Sequence, residues 1–159
     1  MTHCMHSISL AVLKLSLLII GIGGIYGGLV FLADPSGQLM GMSLSYLDGL
    51  PIHSYLLPGL WLLTVMGVGT LVILYGLWAG PAWNWTAAIE RHSHMHWAWT
   101  AALALCVVLL FQLGVELLLG MLGPPTFITG VLGLVALACL FLPAVRIRYM
   151  RPAAWKAMP

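Results

Sequence analysis

Four long apolar runs, separated by short polar or glycine- and proline-bearing connections, organise this chain of 159 residues. They cover roughly Leu10 to Leu32, Tyr55 to Ala79, Trp97 to Gly120 and Thr126 to Val145, each near the ~20 residues a helix needs to cross hydrocarbon. The pattern predicts a single all-α integral membrane domain over residues 1–159, a bundle of four transmembrane helices. The first run is too long for the apolar core of a signal peptide, and no small-x-small cleavage site precedes a polar mature start, so it is read as retained. Composition argues against a water-soluble alternative. With 62% hydrophobic and 6% charged residues and a mean hydropathy of +1.04, the chain exceeds what a water-facing surface tolerates.

All six basic residues, Lys14, Arg91, Arg146, Arg148, Arg151 and Lys156, fall on one side of this four-span pattern. Because Lys and Arg resist translocation and hold short loops in the cytoplasm, both termini and the connection from Gly80 to His96 are expected inside. Ala33 to Ser54 and Met121 to Pro125 carry neither residue and are expected outside, so the chain reads as a multi-pass protein of the cell inner membrane. Six of the seven tryptophans, Trp78, Trp83, Trp85, Trp97, Trp99 and Trp155, gather near the inner ends. There an indole buries its ring and keeps its N–H wet, so a structural belt is expected in preference to cofactor stacking. Lys14 should snorkel inward. Arg146, Arg148, Arg151 and Lys156 follow the fourth span directly, where they meet anionic lipid headgroups, chiefly as a topology anchor. The net charge of +2 gives no case for nucleic acid.

Within span one, Gly21, Gly23, Gly24, Gly27 and Gly28 leave one side nearly bare, and the spacing of Gly24 and Gly28 puts two gaps on one face. Another helix can approach closely there. Gly67 and Gly69 in span two and Gly130 and Gly133 in span four offer similar notches, so the spans can pack by backbone contact without polar glue. Pro58 falls in the first turn of span two, where a missing N–H costs little, and Pro143 is expected to end or kink span four.

The outward segment opens on Asp34-Pro35-Ser36-Gly37, a strong turn signal directly after span one. Leu39, Met40, Met42, Leu44, Leu47 and Leu50 then give it an amphipathic character, which predicts a short re-entrant or interfacial helix within residues 33–54. Asp34-Pro35-Ser36-Gly37, Leu39, Gly41-Met42, Leu47, Pro51 and Tyr55-Leu56-x-Pro58-Gly59 together resemble the segment that follows the first span in a large group of small, uncharacterised bacterial four-span membrane proteins. Some of these are discussed alongside DoxX-like proteins. The resemblance covers about 25 residues specifically and the four-span layout loosely. It implies a shared outer cap and carries no activity with it.

Glu116 is the most unusually placed residue, about one turn inside the outer end of span three at ~1.5 Å per residue. An intramembrane carboxylate is by default a functional candidate, and no Lys or Arg is available on its half of the membrane. Gln112 lies one turn away on the same face, and Tyr26, Tyr55 or His53 are the other expected neighbours. Either desolvation keeps the carboxyl protonated or a cation or partner chain neutralises it. With Asp34, Asp48 and His53 on the same side, it could form a proton or cation site; a carboxyl that reaches headgroup water is the plainer alternative.

A second cluster, His92-Ser93-His94-Met95-His96, directly precedes span three. If that helix begins early, His92 and His96 share a face one turn apart and could hold a transition metal or haem iron, with His94 pointing away, whereas in an extended segment all three would line one side. Glu90, His3, His6 or Cys4 would have to complete such a site. A polar, pH-sensitive interfacial collar is the blander alternative, and the absence of a mid-depth His from all four spans weakens a haem bundle. Cys106 and Cys139 lie within spans three and four without a CxxC pair and read as small buried groups. No GxSxG, HExxH, P-loop or DxxxD diphosphate motif supports catalysis.

Three readings follow. The favoured one is a non-catalytic accessory or scaffold subunit of a larger membrane complex, without a cofactor, its partners being other membrane subunits, with a homo-oligomer as the alternative assembly. The others are a small proton-coupled carrier using Glu116 and Gln112, and a metal, haem or pigment protein using His92 and His96.

Overall fold

A computed structural model of the chain describes residues 2–48, 51–81, 83–120 and 123–150, without the side chains of residues 2–6 and Trp85. Every regular element among them is helical. Four helices are long and apolar enough to cross a membrane: Ser7–Ala33, Leu56–Ala79, Trp97–Leu118 and Pro124–Phe141, here spans one to four. The helix of span one begins at Thr2. A shorter helix, Ala87–Ser93, precedes span three, and another, Pro143–Tyr149, follows span four.

Span four ends earlier than the apolar run suggests, because Leu142 precedes a proline and takes an extended conformation (φ −62°, ψ 131°). Pro143 therefore opens a new helix at its first position, where its ring already holds the helical φ and its missing N–H is no loss. The stretch after span one also departs from expectation. It forms two 3₁₀ turns, Gln38–Met40 and Leu44–Leu47, rather than an interfacial helix, since Gly37 and Gly41 take left-handed conformations and Ser43 is extended.

Span two changes its winding along its length, α-helical over Leu56–Trp61, π-helical over Leu62–Gly69 and α-helical again over Thr70–Ala79. At the switch the Thr64 hydroxyl donates to the Leu60 carbonyl at 2.7 Å, occupying the acceptor that an α-turn would give to Thr64's own N–H. The wide segment lies directly on the glycine face of span one. A Cβ on Gly24 would stand 2.6 Å from the Gly67 nitrogen, and one on Gly28 would stand 2.6 Å from the Leu63 nitrogen. Backbone thus meets backbone where Gly24 and Gly28 leave room.

Span one packs on spans two and four, and span three packs on span four and on the Thr70–Ala79 half of span two. Gly130 faces the Leu113 side chain across the interface between spans three and four. The core between the spans is almost wholly apolar, with Leu13, Leu17, Met66, Cys106 and Leu140 fully buried, and only Ser16, Thr70, Thr86 and His96 as buried polar groups among the described residues. The antiparallel order of the spans sorts charge by end. Asp34, Asp48 and Glu116 fall at one end, and Lys14, Arg91, Arg146 and Arg148 toward the other. Arg151 and Lys156, which the sequence places with the latter group, lie outside the described residues.

Candidate functional site

At the acidic end, a chain of hydrogen bonds links spans two and three. The Trp61 Nε1–H donates to Gln112 Oε1 at 3.3 Å, and the Gln112 Nε2–H donates to Glu116 Oε1 at 2.8 Å. An indole can only donate and a carboxylate can only accept, so one amide orientation satisfies both bonds. Gln112 and Glu116 meet because they are four residues apart on one helix face. Their third member is Trp61, the one tryptophan outside the inner cluster, rather than the tyrosines or His53. Tyr26 is exposed, Tyr55 is buried elsewhere, and His53 is exposed on the preceding connection. Trp61 remains 44% exposed, so the chain sits on the outside of the bundle and not in its core.

At the same end of the bundle, the segment after span one folds into a compact cap around Asp34. The Asp34 carboxylate accepts from the Ser36 hydroxyl and N–H and from the Leu39 N–H at 2.8 Å. Tyr55 closes the cap from the start of span two: its N–H donates to the Pro35 carbonyl at 2.9 Å, its hydroxyl to the Ser43 carbonyl at 2.7 Å, and its ring stacks on Phe31 at 5.0 Å. The Ser36 hydroxyl, followed by the Leu39 amide, lowers the Asp34 pKa below the ordinary aspartate value of 3.8. A depressed carboxylate stabilises the fold above its unfolded value and loses that contribution as pH falls through its folded value. Amide exchange at Ser36 and Leu39 is therefore expected to be pH-insensitive in its protection from neutrality to about pH 5, and to lose protection below 3.8. Unchanged protection through that lower window would remove Asp34 as the organiser of the cap.

At the basic end, aromatic donors answer carbonyls that helix ends leave without partners. The break at Leu142 frees the Leu140 carbonyl, which accepts from the Trp99 indole at 3.3 Å. Trp97 donates to Pro81 at 3.0 Å and stacks on Trp83 at 4.8 Å. The Tyr149 hydroxyl donates to the Leu77 carbonyl, in the last turn of span two, at 2.8 Å. Trp97 and Trp99 are buried, so they are internal clasps rather than the lipid-facing belt expected from sequence; Trp78, 80% exposed, is free to serve in one. Burial raises the Tyr149 pKa, with Arg148 opposing, which keeps the hydroxyl a donor. Tyr149→Phe leaves a buried acceptor unmet and should cost about 1–3 kcal/mol, read as a lower thermal midpoint in detergent; an unchanged midpoint would mean that water reaches Leu77.

The histidine cluster is divided by the same architecture. His94 terminates Ala87–Ser93 in a left-handed conformation (φ 56°), and span three starts only at Trp97 with His96 as its N-cap. His92 and His96 thus do not share a turn of one helix, which corrects the arrangement on which a two-histidine metal site depended. His92 is exposed, whereas His96 is 6% exposed and its Nδ1 accepts the Ala98 N–H at 3.2 Å. Glu90 accepts the Trp97 N–H at 3.2 Å and stands 3.9 Å from His96 Nε2. Carboxylate and imidazole together cap the positive end of span three. No group of three or more His, Cys, Asp or Glu side chains is gathered for a metal ion among the described residues. Cys106 and Cys139 are buried free thiols. An open cleft of about 400 Å³ beside this knot is lined by Leu77, Trp78, Gly80, His96, Arg148 and Tyr149, among others.

These features define an all-helical protein with four helices of membrane-spanning length and apolarity. The chain matches no known family model, no curated protein and no solved structure.

Proposed function

We propose that this chain is a non-catalytic, four-span protein of the cell inner membrane, with both termini cytoplasmic, that serves as an accessory or scaffold subunit of a larger membrane complex. The observation that carries the reading is where its polarity lies. The Trp61, Gln112 and Glu116 chain is on the outer surface of the bundle, while the interior between the spans is closed by apolar side chains and glycine contacts. A carrier needs polar groups along a path from one side to the other, whereas a subunit needs a distinctive outward face. Lipid covers the remaining apolar surface, and the basic end meets anionic headgroups.

Purification in mild detergent, with mass spectrometry and an absorption spectrum of the same sample, tests the role. A stoichiometric complex with another membrane protein is expected. A partner-free homo-oligomer would sink the accessory role and favour proton-coupled transport through Glu116; a coloured or metal-loaded sample would favour a metal, haem or pigment protein. Orientation is checked with an impermeant thiol reagent on intact cells, where His53→Cys should be labelled directly and Arg91→Cys only after permeabilisation.

A further inference from the structure

One face of the bundle is built differently from the others. In its outer half, span two follows the π-helical segment onto the glycine face of span one, and span three meets span two chiefly through Thr70–Ala79. Above that contact the two helices part until the Trp61 indole reaches across to Gln112. They leave a groove of about 410 Å³ whose walls include Thr64, Gly69, Ala101, Ala104, Leu105 and Val108. Ala101, Leu105, Val108, Gln112 and Glu116 recur at the three- and four-residue spacing of one helix face, so the groove runs directly into the chain of bonds that ends on Glu116.

We propose that this groove receives one transmembrane helix of a partner subunit, which places a Lys or Arg side chain against Glu116. The inference rests on the accessory role argued above. Gly69, Ala101 and Ala104 leave low points between the Val65, Ile73, Leu105 and Val108 side chains of the walls, where a helix can approach closely. At the end of the groove stands a carboxyl group for which the described residues of this end supply no Lys or Arg, and a partner helix packed over it would bring a cation to keep it charged in hydrocarbon. A lipid tail would fill the apolar stretch without answering that charge. A second copy of this chain would bring another acidic end to it.

The test places a photoreactive amino acid at Ala104 of the full chain in its native membrane, with Val131 on span four as a control position, and identifies each adduct to the residue by mass spectrometry. The expected adduct from Ala104 is a transmembrane segment of another protein that carries Lys or Arg about one turn from its outer end. It should fall about tenfold or more in Glu116→Gln, whose thermal midpoint should match the parent because Glu116 lies outside the core. Adducts from Ala104 confined to lipid, to a second copy or to a segment without a cation overturn the proposal, as does a yield indifferent to Glu116→Gln. Adducts to another chain from Val131 but not from Ala104 would remove this docking face and leave the accessory role standing; lipid adducts alone from both positions would remove both.

Discussion

Gly28→Leu is expected to give the largest loss of stability of any single substitution in the membrane-spanning part. A Cβ there would lie 2.6 Å from the Leu63 nitrogen, 2.7 Å from its Cβ and 2.8 Å from its Cα. These are mostly backbone atoms, so no rotamer change can relieve the overlap, and the helices must separate along the whole face that includes Gly24. Overpacked cores typically lose about 1–3 kcal/mol, and a rigid backbone neighbour puts this position at or beyond the upper end. Gly23 supplies the control, because a Cβ there meets nothing within 4 Å. Gly23→Leu should change the thermal midpoint in detergent little, while Gly28→Leu should lower it steeply or prevent recovery of folded protein. Equal behaviour of the two variants would show that the glycine face is not what holds spans one and two together.

The second large effect is expected in the cap. Gly37→Ala imposes two penalties together. The backbone is left-handed there (φ 80°), which costs a residue with a Cβ about 1–2 kcal/mol, and the added Cβ would stand 2.8 Å from two carbons of the Tyr55 ring. Displacing that ring also strains its stack on Phe31 and its bond to Ser43, together worth roughly another 1–2 kcal/mol. Gly41 separates the two penalties. It shares the left-handed conformation (φ 68°) but a Cβ on it would meet nothing within 4 Å, so Gly41→Ala should show the backbone cost alone. Amide exchange of Tyr55, whose N–H donates to Pro35, is the readout: it should quicken far more in Gly37→Ala than in Gly41→Ala. Comparable exchange in both would mean that Tyr55 does not rest on Gly37.

The parts of the fold that could be read from sequence are those that depend on local composition. Four helices of sufficient length and apolarity follow from long apolar runs, because a helix satisfies its own backbone and needs no partner to form in hydrocarbon. The turn after span one follows from Asp34-Pro35-Ser36-Gly37, whose side chains and backbone preferences act within a few residues. Even the pairing of Gln112 with Glu116 was legible, since four residues is one helical turn. The geometry of the histidine cluster stayed open in the sequence because it depends on where one helix begins, and Glu90, seven residues before Trp97, caps that helix at Trp97.

What composition determined about this protein is therefore the set of spans and the sorting of charge along them: bases toward one end, most acids at the other. Which surfaces meet was decided by tertiary structure. Glycines can announce a notch, but only packing selects the π-helical stretch of span two to fill it. A tryptophan or tyrosine near a helix end carries a donor whose acceptor is unknown until another helix stops nearby, as Leu140 and Leu77 show for Trp99 and Tyr149. Carbonyls are identical in every residue, and they become specific partners only when folding interrupts the helix that would otherwise have used them.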